Sequence, residues 1–390
     1  MEKIRLGVIG VGNMGSGHIN NIKAGKCPEI EVVAVADRRE SRREWCKENI
    51  PTAQIFNEGE DLIKAGVCDA VLIATPHYQH PPLAQLALEN GLHVMVEKPA
   101  GVYTLQVREM MATADAHPDK TFGMMFNQRT NCVYRKLKEM LENGELGEIK
   151  RVSWLITDWY RTQNYYDSGA WRATWAGEGG GVLMNQCPHQ LDLLTWLCGM
   201  PKKVRAFCHA GKWHDIEVED DVTCYMEFEN GATGVFVTTT GDAHGDNRFE
   251  VQMDKARIIV EDDKLSLLEF EVSEPEWSKT TTQTFATLPA KEVEVETDGE
   301  NPQHVGVLNA WAGAILRGES LVAGGEEGIN GLTLSNAMHL SAFLGQKVDI
   351  PFDEELYYQE LMKRVATSRR KTGGKAVFSD TSDSYNGSKA

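Results

Sequence analysis

Several features that would mark a metal, secreted, membrane or nucleic-acid-binding protein are missing. The eight cysteines, at positions 27, 46, 68, 132, 187, 198, 208 and 224, contain no CxxC pair and no Cys/His cluster at metal-ligand spacing. Neither a zinc site nor a disulfide framework is indicated, so they read as reduced thiols and no metal is expected. No apolar run approaches the roughly 18 residues that span a bilayer. Residues Met1 to Arg5 lead straight into a strand-like segment without the apolar centre of a signal peptide. The expected location is the cytoplasm, with no membrane partner. Basic residues are in deficit, 40 against 57 acidic, for a formal net charge of −17. That balance argues against a polyanion-binding role, and no nucleic acid partner is expected. Tandem repeats are absent as well.

What is present is a chain of 390 residues with 42% hydrophobic side chains, more than one hydrophobic core usually holds. From residue 4 to about 127, short apolar runs alternate with helical patterns. The runs are Ile4–Ile9, Val32–Ala36, Ala70–Ala74, His93–Val96 and Thr121–Met125. This rhythm predicts βαβ units around a buried parallel sheet. Residues 83–90 have helical spacing and stop at Gly91. Beyond residue 128, longer alternating segments follow at 152–159, 222–228, 233–239 and 249–259. Tyr225–Phe228 and Val235–Val237 are set to form a hairpin through Glu229-Asn230-Gly231. Helices are predicted near 181–198, at 304–317 and at 326–345, the last two packing back between the halves. The expected division is an α/β dinucleotide-binding domain over 1–127, a mostly antiparallel α+β domain over 128–378, and a disordered polar tail over 379–390.

Gly10-Val11-Gly12-Asn13-Met14-Gly15 follows the first strand and opens a helical pattern. In that context GxGxxG predicts a dinucleotide site. Gly10 permits the tight turn, Gly12 admits a pyrophosphate to the helix N-terminus, and Gly15 lets helix and strand pack closely. Asp37 ends the second strand about 20 residues further on, where a carboxylate accepts hydrogen bonds from the adenine ribose and repels a 2′-phosphate. NAD is therefore expected over NADP, although Arg38 and Arg39 soften the preference. Glu97-Lys98-Pro99 lies just past the His93–Val96 run, at the carboxyl edge of the sheet where such folds hold ligands.

Taken with these, four further segments carry a resemblance: Ile73-Ala74-Thr75-Pro76 with His80, Gly179-Gly180-Gly181-Val182-Leu183 leading to His189 and Asp192, Ala314–Gly318, and Val348–Pro351. Together they resemble the glucose-fructose oxidoreductase, inositol dehydrogenase and rhizopine catabolism family, Gfo/Idh/MocA, over nearly the whole chain. The resemblance implies a Rossmann domain followed by a mostly antiparallel sheet domain, NAD(P) as cofactor, sugar or cyclitol substrates, and homo-oligomers formed through the C-terminal sheet. It implies cofactor contacts at Gly10, Gly12, Asn13, Met14, Gly15, Asp37, Arg38, Thr75, Pro76, His80, Glu97, Lys98 and Asn127. Lys98 and His189 are its implied catalytic pair.

Asn185, His189 and Asp192 are spaced to share one face of the expected helix. Many members that this chain resembles have an aspartate four residues before the histidine. Here that position is Asn185, which cannot accept a proton. His189 is thus the expected general base, Asn185 positions a hydroxyl, and Asp192 orients His189 or nearby backbone. Oxidation is expected to rise with a single ionisation near neutrality. Trp159, Tyr160, Arg161, Tyr165, Tyr166, Trp171 and Arg172 crowd the stretch before this helix, and aromatic faces with planar donors suit sugars or aryl glycosides. Expected substrate contacts are Lys98, Arg129, Tyr160, Arg172, Asn185 and His189. Three functions stay open: a dehydrogenase of a sugar, cyclitol or glycoside, one route forming a 3-keto sugar; a glycoside-cleaving enzyme using bound NAD transiently; and a non-catalytic NAD-binding regulator.

Overall fold

The computed structural model describes residues 3–369. The tail expected over 379–390 lies outside the described residues. Six strands, β1 (Ile4–Ile9), β2 (Ile30–Ala36), β3 (Gln54–Phe56), β4 (Ala70–Ile73), β5 (His93–Val96) and β6 (Phe122–Met124), form one sheet in the order β3-β2-β1-β4-β5-β6. Every pairing is parallel. Crossover helices cover both faces, which is why β4 has no polar residue and is buried throughout. The strand β3 escapes sequence reading because it has three residues at the sheet edge, none of them fully buried. Strand order reverses between β1 and β4, and the crevice at such a switch point is where this architecture binds ligands.

The second sheet has nine strands: β7 (Ile149–Ile156), β8 (Lys203–Ala210), β9 (Glu219–Glu227), β10 (Thr233–Thr239), β11 (Asn247–Met253), β12 (Ala256–Glu261), β13 (Lys264–Phe270), β14 (Ala290–Glu294) and β15 (Val348–Asp349). Their order is β14-β13-β12-β11-β7-β10-β9-β8-β15, and the β7/β10 pair is parallel while the others are antiparallel. The hairpin expected between 225 and 237 is present, with Val235 opposite Tyr225. On the inner face Trp154 stands opposite both Phe236 and Phe249, its ring centroid 4.4 Å from that of Phe249. This aromatic row is the centre of the second core.

Two segments differ from expectation. The stretch 249–259 is two strands, β11 and β12, turning at Asp254 and Lys255. The helix expected from 181 begins only at Pro188 and runs to Cys198. The preceding turn is held by β9: Gly181 and Leu183 donate their N–H groups to the Glu219 carboxylate, and Val182 donates to the Glu219 carbonyl. These bonds tie residues 181–183 to β9 as a turn, and Pro188 is suited to a first helical position. Asn185 therefore lies outside the helix that carries His189 and Asp192.

The helix Gln303–Arg317 buries Val307, Leu308, Trp311 and Ala312 in the core of the parallel-sheet domain, and Met124 donates to the Ala323 carbonyl. That domain thus recruits residues far beyond 127, the boundary drawn from sequence. The helix Gly328–Leu344 is buried along most of its length between the helix Pro188–Cys198 and β8. No helix among the described residues is long and apolar enough to cross a membrane.

Arg129, at the crossing between the sheets, is 4% exposed. Its guanidinium donates to Asp192 at 2.7 and 2.9 Å and to Glu327 at 2.5 Å, between the rings of Phe126 and Trp196. Burial opposes the charge, but these carboxylates hold the Arg129 pKa above its ordinary value. Removing one partner of a buried pair strands the other charge, at a cost of about 3–5 kcal/mol. Arg129→Leu is expected to lose stability of that order in chemical denaturation. A loss below about 1 kcal/mol would show that the pair does not hold the crossing.

Candidate functional site

One cavity of about 600 Å³ opens at the switch point and continues into the second domain. Gly10, Gly12, Asn13, Met14, Asp37, Arg38, Thr75, Pro76, His80, Glu97, Lys98, Arg172 and Asn185 line it. At its floor, Gly10 has φ +91°, and a Cβ there would stand 2.6 Å from the Ala74 carbonyl oxygen. A Cβ on Gly15 would strike the Gly10 oxygen, so Gly15 packs beneath the cavity wall. At Gly12 a Cβ would point into open space and nothing stands closer than Arg39 at 3.8 Å. That space adjoins the N-terminus of the helix Asn13–Lys23, which has no side-chain cap. Free amides beside an open cradle fit the pyrophosphate of NAD.

Asp37 lies beside this cradle, 8% exposed. Its carboxylate accepts from the Val11 amide at 2.8 Å and the Arg39 amide at 2.9 Å, and the Arg39 guanidinium spans both oxygens at 3.1 Å. Burial raises its pKa, but these donors outweigh burial and hold it below the usual carboxylate value. All four acceptor positions are engaged, so a ribose diol reaching Asp37 has to displace the Arg39 guanidinium. Arg38 is turned to Glu58 at 2.6 Å.

Glu97, 4% exposed, pairs with His18 at 2.7 Å. Although burial works against ionisation, His18 and the neighbouring cations bring the Glu97 pKa down to about 2. His80 lines the cavity, and its two ring nitrogens lie 2.7 Å from the Pro99 and Thr75 carbonyls. It clasps the loop after β4 to the loop after β5. Lys98 extends across the domain boundary and donates to the Asn185 carbonyl at 2.8 Å. Burial lowers the Lys98 pKa, as do Arg172 and Arg161, against the opposing effects of Glu97 and Glu178.

His189 is 1% exposed and sits behind the exposed cavity wall. Burial, reinforced by the Lys98 charge, pushes its pKa well below 6.5. The imidazole is neutral at physiological pH, so the ionisation expected near neutrality belongs much lower. Asp192 accepts from the Arg129 guanidinium at 2.7 and 2.9 Å.

Five expected contacts lie outside the lining, Gly15 and His189 among them. Arg129 is committed to its two carboxylates. Asn127 is fully buried and donates its side-chain amide to Gln303. Tyr160 is 40% exposed, next to the buried Trp159. Arg172 reaches the cavity, with its guanidinium 2.8 Å from the Tyr165 hydroxyl and over the Tyr165 and Trp171 rings. Tyr165 belongs to the aromatic stretch noted in the sequence, whereas His77 and Glu178 are not singled out there. Their roles depend on neighbours distant in the chain, and no local motif announces them.

Replacing the carboxylate by a hydroxyl in Asp37→Ser removes repulsion of a 2′-phosphate and releases Arg39 to pair with it. The NAD-over-NADP preference, read from dissociation constants, is expected to narrow by at least about tenfold. An unchanged ratio would place the selectivity elsewhere.

Comparison with known proteins fits this geometry. Residues 4–124 match the oxidoreductase family's NAD-binding Rossmann fold, and residues 134–259 match the Gfo/Idh/MocA C-terminal domain. Inositol 2-dehydrogenase of Corynebacterium glutamicum is 29% identical over 241 residues, 59% of this chain and 65% of that protein. The match thus spans just under two thirds of the length of that curated relative. Trans-1,2-dihydrobenzene-1,2-diol dehydrogenase of Bos taurus is 30% identical over 242 residues, 60% of this chain and 67% of that protein. Among solved structures, the WlbA dehydrogenase of Chromobacterium violaceum, in complex with NADH and UDP-GlcNAcA, superposes with a TM-score of 0.78 at 27% identity, covering 90% of this chain and 97% of that one. Levoglucosan dehydrogenase shares the fold, with a TM-score of 0.75 at 19% identity, covering 90% of this chain and all of that one. With both of its domains matched in order, the chain belongs to the Gfo/Idh/MocA oxidoreductase family and carries that family's NAD-binding Rossmann domain.

Proposed function

We propose that this protein is an NAD-dependent dehydrogenase of the cytoplasm that oxidises a ring hydroxyl of a sugar, cyclitol or glycoside. The observation that carries the reading is the single cavity that joins Asp37 and the glycine cradle to Lys98, Asn185 and Arg172. The named relatives support the substrate class, since inositols, a cyclic dihydrodiol and a sugar nucleotide all bear ring hydroxyls. Eight free thiols suit a reducing compartment.

NAD, when bound, accepts the hydride from the hydroxyl-bearing carbon. The chain's own residues manage the proton and the charge. Lys98 donates to the hydroxyl oxygen and stabilises the negative charge that develops on it in a water-poor setting. Neutral His189 takes the proton. Asn185 orients the hydroxyl, while Arg172, resting on Tyr165 and Trp171, holds the ring.

The first test is absorbance of NADH when the protein and NAD meet inositols, hexoses, sugar nucleotides and aryl glycosides. A stoichiometric rise with one class supports the dehydrogenase. Substrate loss without a lasting rise would replace it by transient oxidation during glycoside cleavage. Lys98→Met is expected to lower kcat by about a hundredfold or more with NAD affinity nearly unchanged. Because His189 is shifted down and Lys98 is also below 10.5, kcat/KM is expected to be level through neutrality. It should then fall on the alkaline side as Lys98 loses its proton, earlier than an ordinary lysine would. A rise through pH 6–7 that vanished in His189→Ala would contradict this protonation scheme.

The outer face of the second sheet supports a homo-oligomer. Leu155, Val237, Thr223 and Phe207 stand side by side across β7, β10, β9 and β8. Leu155 and Phe207 are 40% and 51% exposed. Pairing of this face with a second copy would cover them. Light scattering is expected to give an oligomer for the native chain and a smaller species for Phe207→Glu. An unchanged mass would place the contact elsewhere.

A further inference from the structure

Behind the cavity wall lies a carboxylate that neither the proton nor the hydride step uses. Glu178 is 2% exposed, and each of its polar ends is committed to a different wall. One carboxylate oxygen accepts from the side-chain amide of Asn185. The other accepts from the Ala173 backbone amide at 2.6 Å. Ala173 has φ 53°, a left-handed conformation that costs a non-glycine residue of order 1 kcal/mol and needs a partner to hold it. It follows directly after Arg172. The Glu178 backbone carbonyl, finally, accepts from His77 Nδ1 at 3.0 Å, on the loop after β4.

We infer that Glu178 is a positioning residue for hydride transfer: it orients the Asn185 amide so that the oxygen faces the substrate, and it fixes the turn that aims Arg172. This rests on the proposed dehydrogenase reading. Burial raises the Glu178 pKa, against Arg172 and the Asn185 and Ala173 donors; as the carboxylate it only accepts hydrogen bonds, so it draws the NH2 group of Asn185 and turns Oδ1 the other way. That oxygen then lies 3.5 Å from the Tyr165 hydroxyl, on a residue that lines the cavity. The Asn185 backbone carbonyl, which receives Lys98, is steadied by the same contact. One buried group thereby sets three cavity residues contributed by two domains.

The test is an exchange of polarity. In Glu178→Gln, the new amide satisfies Ala173 with its oxygen and confronts the Asn185 NH2 with its own NH2. The Asn185 amide must turn over, presenting a donor where the substrate needs an acceptor. In Asn185→Asp, two carboxylates confront one another. In the double variant Glu178→Gln/Asn185→Asp, every donor again meets an acceptor, and an oxygen again faces the cavity. Each single change is expected to lower kcat about ten- to a hundredfold, the effect of leaving a buried polar group mispaired. NAD affinity should change little, because the cradle is remote. The double variant is expected to recover at least about tenfold over Glu178→Gln, a strongly non-additive result.

Wild-type kcat in Glu178→Gln would overturn the inference, as would a double variant no better than the poorer single. If Glu178→Gln does not fold, as judged by its melting and NAD binding, Asn185→Asp decides alone, and wild-type turnover there overturns the inference. Should the native protein reduce NAD with no substrate, the dehydrogenase reading fails separately. The positioning role is then read from the crystal structure of Glu178→Gln with NAD bound. A reversed Asn185 amide and a displaced Lys98 support it, and an unmoved network overturns it.

Discussion

Buried polar groups at the junction of the two sheets must find partners, and that constraint organises the rest of the molecule. Lys98, at the end of β5, finds the Asn185 carbonyl, and His77 finds the Glu178 carbonyl. Tyr78 donates to the Trp175 carbonyl, Asn336 brackets residues 102 and 104, and Arg129 joins Asp192 and Glu327. Each pairing joins segments far apart in sequence. An unpaired group in such a setting costs several times what a surface contact contributes, so the junction tolerates few arrangements. The cavity is the space those pairings leave open.

Charge is zoned along that cavity. At the cradle end, glycines and uncapped amides leave room for a pyrophosphate, while the Asp37 carboxylate disfavours a further phosphate on the ribose. At the far end, Lys98 and Arg172 face a surface backed by Glu178 and Glu97. Arg172 lowers the Lys98 pKa and Lys98 in turn lowers that of His189, which keeps the imidazole neutral. Burial is the larger influence on both groups.

Local sequence determined the parts of this protein that depend on near neighbours. The apolar runs of β1, β2, β4 and β5 are legible because a strand buried on both faces must be apolar throughout. The 225–237 hairpin, the glycine cradle and Asp37 are legible because turn chemistry and motif spacing act over a few residues. Lys98 is legible as a strand-end residue at a ligand edge.

Only the tertiary structure decided what each polar side chain is used for. Arg129 has the character of a substrate contact in sequence, yet Asp192 and Glu327 claim it. Asn127 is claimed by Gln303, and Tyr160 is half-exposed beside the buried Trp159. The helix expected from 181 starts at Pro188, and the turn before it is held by Glu219, on a strand 36 to 38 residues further along the chain. Glu178 carries no motif at all. A hydrogen bond is a property of two groups, and when the second is brought in by the fold, no reading of the first alone identifies it.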